Sequence, residues 1–318
     1  MRRALCVGID RYRFGNLQGC VSDAERMSGV LSVQGDGAPN FESRVLAGPL
    51  GGAPDAVTRA KLREAVAQLF KDRADVALLH FSGHGTINNL DGYLVTQDSA
   101  MYDDGMGMGE VLKLANDSAA EEVVILLDCC HSGQLGNPPE VNNRAMLREG
   151  ISILTASRGD QPSVETAGGG LFTSLVVDAL EGGAADILGD VTAPGIYAYV
   201  EAALGAWDQR PLFKAHVSRV VNLRCCESAI DRAILRDLPR LFPLPAEDLP
   251  LDPGYEPSSA QPDAAKVAIF ESLQKLNRVH LVVPVDAPHM YEAAMGSKAC
   301  RLTASGRYYW RLATGKRI

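Results

Sequence analysis

Residues 123–136 read "VVILLDCCHSGQLG". Five apolar residues run into an acid, two thiols, an imidazole and a glycine. A short apolar run of this kind fits a strand buried on both faces. Four more occur: "ALCVGI" (4–9), "SRVLAG" (43–48), "VALLHFS" (76–82) and "ISILTAS" (151–157). Helical patterns alternate with them. "SDAERMSGVL" (22–31) follows the first, with Ser22 or Asp23 in position to cap it. "DAVTRAKLREAVAQLF" (55–70) follows the second and carries Val57, Leu62, Val66, Leu69 and Phe70 on one stripe. "GEVLKLAN" (109–116) and "LFTSLVVDAL" (171–180) follow the third and fifth. The expectation is an α/β fold with a mostly parallel sheet flanked by helices. Ligands of such sheets bind beyond the carboxyl ends of the strands, where both "HFSGHG" (80–85) and "LLDCCHSG" (126–133) fall.

The bulk properties narrow the classes. Hydrophobic residues make up 46% of the 318 and charged residues 22%, which fits a globular protein and not a disordered one. A net charge of −8 argues against nucleic-acid binding by the whole surface. The amino-terminal apolar run before Asp10 is too short for a signal peptide, and no run reaches membrane-spanning length. Seven cysteines, including the adjacent pairs Cys129–Cys130 and Cys225–Cys226, suggest no disulfide framework, so the expected compartment is a reducing cytoplasm.

A cysteine becomes a nucleophile when a base takes its proton and nearby dipoles stabilise the thiolate. Adjacent side chains of an extended chain point to opposite sides, which disfavours His131 as the base for Cys130. His84 ends another strand and is flanked by glycines that let a substrate approach the backbone. Core cysteines beside a satisfied histidine are the plainer reading of such residues, but two such clusters in order at strand ends favour chemistry. A zinc site fits poorly, because "CCH" leaves no room for a tetrahedral grip and no C-x-x-C occurs.

"HFSGHG" and "DCCHSG" resemble the histidine and cysteine boxes of the caspase and metacaspase family of cysteine peptidases. "GIDRYRFGNLQGCVSDAERM" resembles the family's opening strand and first helix, and "GGLFTSLVVDALEGG" and "QRPLFKAHV" its later helix and closing strand. The resemblance spans roughly residues 2–225 and implies a caspase-like fold. It implies Cys130 as nucleophile and His84 as base, with the amides of Gly85 and Cys130 stabilising the oxyanion. It also implies a regulated effector in bacterial stress or anti-phage defence; the competing reading is a non-enzymatic signalling or DNA-binding protein using the domain as a scaffold.

The resemblance carries over to the specificity pocket as Asp23, Asp128, Ser82 and Cys20. Two carboxylates converging in a partly buried cleft repel unless a cation lies between them. A guanidinium matches such a pair by bidentate hydrogen bonds, so cleavage after Arg or Lys is expected, not after Asp. The alternative is that Asp23 only caps a helix and Asp128 only ends a strand. The acidic stretch "NNLDGYLVTQDSAMYDDG" holds Asp91, Asp98, Asp103 and Asp104. It is comparable to one that binds calcium in some metacaspases, though it fits no definable calcium loop and reads equally as a solvated loop. The expectation is that no cofactor is required, with calcium the one candidate. Arg144 and Arg148 lie in the segment after the nucleophile, where obligatory self-cleavage is not expected.

The carboxyl-terminal third divides differently. Residues 1–237 form the expected peptidase domain, and 238–262, with seven of the 17 prolines, an extended connector lying against a surface. Residues 263–318 form a small module with a helix, a strand and a hairpin around "ATGK". "RLTASGRYYWRL" resembles the last helix and wing of winged-helix domains. Its basic residues, Lys298 to Arg317, could meet nucleic acid through phosphates, but a protein-docking adaptor is the favoured reading.

Overall fold

The computed structural model describes residues 1–50, 56–87, 91–100, 105–129, 147–156, 165–166, 169–204 and 210–318. They fall into two compact units, Met1–Ala185 with Gly189–Glu227, and Asp186–Leu188 with Ser228–Ile318.

The first unit runs β1 (Arg2–Ile9), α1 (Cys20–Ser32), β2 (Glu42–Gly48), α2 (Arg59–Lys71) and β3 (Val76–Ser82). Three short strands follow, β4 (Gly85–Ile87), β5 (Gly92–Leu94) and β6 (Met106–Gly107), then α3 (Met108–Asn116), β7 (Glu122–Asp128) and β8 (Ile151–Thr155). A small ladder of β9 (Glu165–Thr166) and β10 (Gly169–Gly170) leads into α4 (Leu171–Asp178). The unit closes with β11 (Asp190–Thr192), α5 (Ala193–Ala203), β12 (Leu212–His216) and β13 (Asn222–Cys225). The central sheet has the order β12-β8-β7-β3-β1-β2, parallel throughout except for the antiparallel edge strand β12. The mostly parallel sheet expected from the sequence is present.

Period-two alternation sorts each central strand between two apolar layers. Leu5, Val7, Leu79, Phe81, Ile125, Leu127 and Cys129 pack with Leu62, Val66 and Val111 of α2 and α3. Cys6, Leu78, Val124 and Leu126 pack with Met27 of α1, Phe172 and Val176 of α4 and Ile196 of α5. By the same alternation His80, Ser82 and Asp128 lie on the α1/α4 side. Ser82 and Asp128 are register partners, as are Ser82 and Gly8.

The start of α1 departs from expectation. The helix begins at Cys20, and neither Ser22 nor Asp23 caps it. Asp10, at the exit of β1, caps it instead: its Oδ1 accepts the backbone N–H groups of Gly19, Cys20 and Val21 at 3.1, 2.8 and 3.3 Å. A carboxylate from outside the helix satisfies its orphan donors and complements its dipole, which frees Asp23 to turn inward. The second helix also starts later than its pattern suggested, at Arg59, because the Thr58 hydroxyl accepts from Lys61 N–H.

The second unit holds α6 (Arg232–Arg236), α7 (Leu238–Leu241), β14 (Leu249–Pro250), α8 (Ala264–Arg278), β15 (Val282–Val285), α9 (Met290–Met295), β16 (Ala299–Leu302) and α10 (Ala304–Thr314). Its antiparallel sheet has the order β14-β16-β15. Residues 238–262 are therefore not a connector. Leu238, Leu241, Phe242 and Leu251 are buried with Phe270 and Leu273 of α8, and the Trp310 indole donates to the Phe242 carbonyl at 2.8 Å. The prolines end elements without preventing the apolar residues between them from joining this core. The boundary accordingly lies near Ser228, not at residue 263. The hairpin around "ATGK" is absent as well: α10 continues to Thr314, and Gly315 N–H closes it on the Arg311 carbonyl. β15 and β16 are joined through α9 and not by a hairpin wing, so the winged-helix expectation is not met.

Candidate active site

His84 follows β3 after one residue, Gly83. Its backbone N–H donates to the Tyr12 hydroxyl at 2.9 Å, and the Tyr12 ring lies 4.6 Å from its imidazole, centroid to centroid. Phe14 stacks on the imidazole at 6.3 Å. Imidazole Nε2 is 2.6 Å from the Gly15 carbonyl. A carbonyl only accepts, so Nε2 carries the proton and Nδ1 is the nitrogen able to take one. Gly85 opens β4 and pairs with Leu94. The end of β7, which leads to Cys129, is close by, since Gly83 N–H donates to the Asp128 carbonyl at 3.2 Å. Cys129 is fully buried in the α2/α3 layer. Cys130 and His131 lie outside the described residues.

The pocket candidates converge on the other face. Asp23, fully buried, accepts the Ser82 hydroxyl at 2.8 Å and Gly170 N–H at 2.9 Å on Oδ2. Its Oδ1 takes Arg26 Nη2 at 2.6 Å. Arg26 is three residues along the same helix and also reaches Ser174 Oγ at 3.2 Å. Asp128 Oδ2 accepts both the backbone N–H and the hydroxyl of Thr173, at 3.0 and 2.8 Å. Burial pushes the Cys20 thiol far above its ordinary value; the Ser82 hydroxyl opposes this, while Asp10, Asp23 and Asp128 add to it. Cys20 is thus held as a neutral thiol. The expected cation between the two carboxylates is already supplied on the Asp23 side, by Arg26 of the same chain.

Gly169 and Gly170 make the convergence possible. A Cβ on Gly170 would lie 1.9 Å from Asp128 Oδ2, and one on Gly169, at φ +141°, 2.2 Å from Asp23 Oδ1. Only backbone without side chains fits between the two acids.

The match to the caspase-domain family model covers residues 1–219, the region of the six-stranded sheet and of every site residue named above. The chain belongs to the caspase-domain family. Among solved structures, this caspase domain is similar to protein GSU0716 of Geobacter sulfurreducens, with 18% identity and a TM-score of 0.53 over 71% of this chain and 99% of that one. It is also similar to caspase-1 of Spodoptera frugiperda, with 14% identity and a TM-score of 0.50 over 71% and 90%. At these identities the likeness concerns the fold. No curated protein matches. At family level, then, this is a caspase-like cysteine-peptidase domain. Among the described residues, no helix is long and apolar enough to cross a membrane.

Two acids of the candidate calcium stretch have structural tasks in this caspase domain. Asp91 Oδ2 accepts Gly109 N–H at 2.8 Å, in the first turn of α3. Asp98 Oδ1 accepts Arg59 N–H at 2.9 Å, at the start of α2, and the Thr96 hydroxyl at 2.7 Å. Asp103 and Asp104 lie outside the described residues. Among the described residues no group of three or more His, Cys, Asp or Glu side chains is placed to hold a metal.

Sequence reasoning passed over Asp10, Tyr12, Arg26, His80 and Thr173. Some signals were present: Arg26 is at helical spacing from Asp23, and His80 shares a strand face with Ser82. Nothing local marks Asp10, whose partners open the next helix, or Tyr12, whose hydroxyl partner His84 is distant in the chain.

Proposed function

We propose that the chain is a cysteine endopeptidase in which Cys130 is the nucleophile and His84 its base, cleaving after Arg or Lys. The observation carrying this reading is the His84 imidazole, held by the Gly15 carbonyl so that Nδ1 is the basic nitrogen. Further support comes from the match to the caspase-domain family model over residues 1–219. His84 Nδ1 accepts the Cys130 thiol proton, and the thiolate attacks the peptide carbonyl carbon. The C–S bond forms as the carbonyl electrons move onto oxygen, where the Gly85 and Cys130 amides receive the charge. Collapse breaks the C–N bond while His84 returns the proton to the leaving amine. Water, deprotonated by His84, then releases the acyl group as a carboxylate and restores the thiol.

The preference for Arg or Lys rests on Asp23 and Asp128, buried carboxylates at the same end of the sheet. An incoming cation reaches Asp23 Oδ1 only as Arg26 gives it up. A substrate Asp would instead add a third negative charge. The test is turnover of peptides that differ only in the residue before the scissile bond. Arg should be cut best, Lys less well and Asp not detectably; efficient cleavage after Asp would overturn the pocket. His84→Ala should lower turnover by about 10² to 10⁴ fold, the usual contribution of a general base.

A further inference from the structure

Behind Asp128 lies a buried titratable group that the chemistry above does not use. His80, in the middle of β3, is wholly inaccessible to solvent. Its Nε2 is 3.1 Å from Thr173 Oγ1, the same hydroxyl that lies 2.8 Å from Asp128 Oδ2. Its Nδ1 finds no hydrogen-bond partner among the described residues. A hydroxyl has one proton to give. If His80 carried its proton on Nδ1, Nε2 would claim the Thr173 proton, and Asp128 Oδ2 would lose one of its two bonds from Thr173. It would also leave a buried N–H without an acceptor, which is rarer than an under-satisfied acceptor. With the proton on Nε2, the order becomes His80 N–H to Thr173 O–H to Asp128, and every proton has a destination. Burial also pushes the His80 pKa down to about 3, with the Arg26 charge acting in the same sense, so the ring is neutral in this arrangement.

We infer that His80 is a positioning residue for substrate recognition: through the Thr173 hydroxyl it keeps Asp128 a fixed, hydrogen-bonded anion in the cation pocket. This rests on the Arg/Lys reading above and names what holds one of its two carboxylates in place. An orphaned buried nitrogen is costly, and replacing such a group with apolar volume is often neutral or better for stability. The bond from Nε2 is what a phenylalanine at this position would lack.

The experiment has two arms on the full-length protein. In the first, imidazole ¹⁵N spectra should show His80 as the neutral Nε2–H tautomer, and Thr173→Val should change the Nε2 signal without charging the ring. An Nδ1–H or charged His80 in the unaltered protein would overturn the inference, whatever the substrate. In the second, His80→Phe and Thr173→Val should each raise KM for an Arg peptide about tenfold or more while leaving kcat nearly unchanged, the scale of a lost bond to a charged group. Thr173→Ser and His80→Gln, which keep a hydroxyl and a side-chain N–H donor, should recover most of it. A peptide with neutral citrulline in place of Arg should be nearly indifferent to all four changes. Folded His80→Phe protein with unaltered KM, or an equal loss on Arg and citrulline peptides, would overturn the relay. Absence of any Arg preference in the unaltered protein would instead defeat the parent reading and leave the spectroscopic arm standing.

Discussion

The two faces of strands β3 and β7 differ over a distance of one side chain. Toward α2 and α3 they present Leu79, Phe81, Ile125, Leu127 and Cys129, an unbroken apolar layer. Toward α1 and α4 the same strands begin equally apolar and end in His80, Ser82 and Asp128, all buried. Burying such groups is costly unless each is hydrogen-bonded or paired. Here the bonds come from elements remote in sequence: Ser82 donates to Asp23 of α1, and Thr173 of α4 bonds both Asp128 and His80. One face is built for stability alone; the other is supported at several points to keep charge in place. Cys129, just past the end of β7, faces the apolar layer.

That contrast can be broken experimentally, beginning with the largest effect. Cys130→Ala should abolish peptide cleavage, whereas Cys129→Ala should retain activity in folded protein and lose about 1–3 kcal/mol of stability. Equal inactivation of two folded variants would reverse the assignment. Asp23→Ala and Asp128→Ala should each lower kcat/KM for Arg peptides by roughly two decades or more, since breaking a buried pair costs about 3–5 kcal/mol. On the opposite face, Ile125→Val should cost about 0.5–1.5 kcal/mol by chemical denaturation and leave the order Arg, Lys, Asp unchanged. A shifted substrate order in that variant would show the faces to be coupled.

Acid should expose the polar face next. The His80 pKa is pushed from its ordinary 6.5 to about 3, chiefly by burial. Between those values the unfolded chain binds a proton that the folded chain refuses. Stability present above pH 6.5 is therefore lost as pH falls toward 3, by at most about 1.4 kcal/mol per pH unit. Urea unfolding of the protein and of His80→Phe at several pH values should show the shallower slope in the variant; parallel slopes would mean that His80 titrates normally. An effect as small as that of Ile125→Val is expected at the exposed Asp98, where Asp98→Ala should cost about 1 kcal/mol through the lost bond to the start of α2, with turnover unchanged.

Much of the first unit was legible from sequence. Strands such as "VALLHFS" and "EVVILLD" are apolar nearly throughout because a parallel strand is covered on both sides. Asp23, Ser82 and Asp128 could be grouped through family resemblance, and they do converge. Most of what they bond to could not be read: Arg26 is at helical spacing from Asp23, but Gly170 and Thr173 reach the acids only after the elements dock. The second unit was harder. Prolines in 238–262 indicate where chain elements end, but not whether the leucines and phenylalanine between them find a core.

The amino-acid sequence by itself determined the alternating strands and helices and the arrival of His84 and Cys129 at strand ends. These depend on local periodicity and nearest-neighbour spacing. Tertiary structure alone decided that Asp10 caps α1, that Gly170 and Thr173 hold Asp23 and Asp128, that Gly15 orients His84 and that Asp91 and Asp98 serve helix starts. The physical reason is the same in each case. A carboxylate or imidazole acquires its role from whichever donor or acceptor is packed within about 3 Å of it, and that partner is chosen by the docking of whole elements.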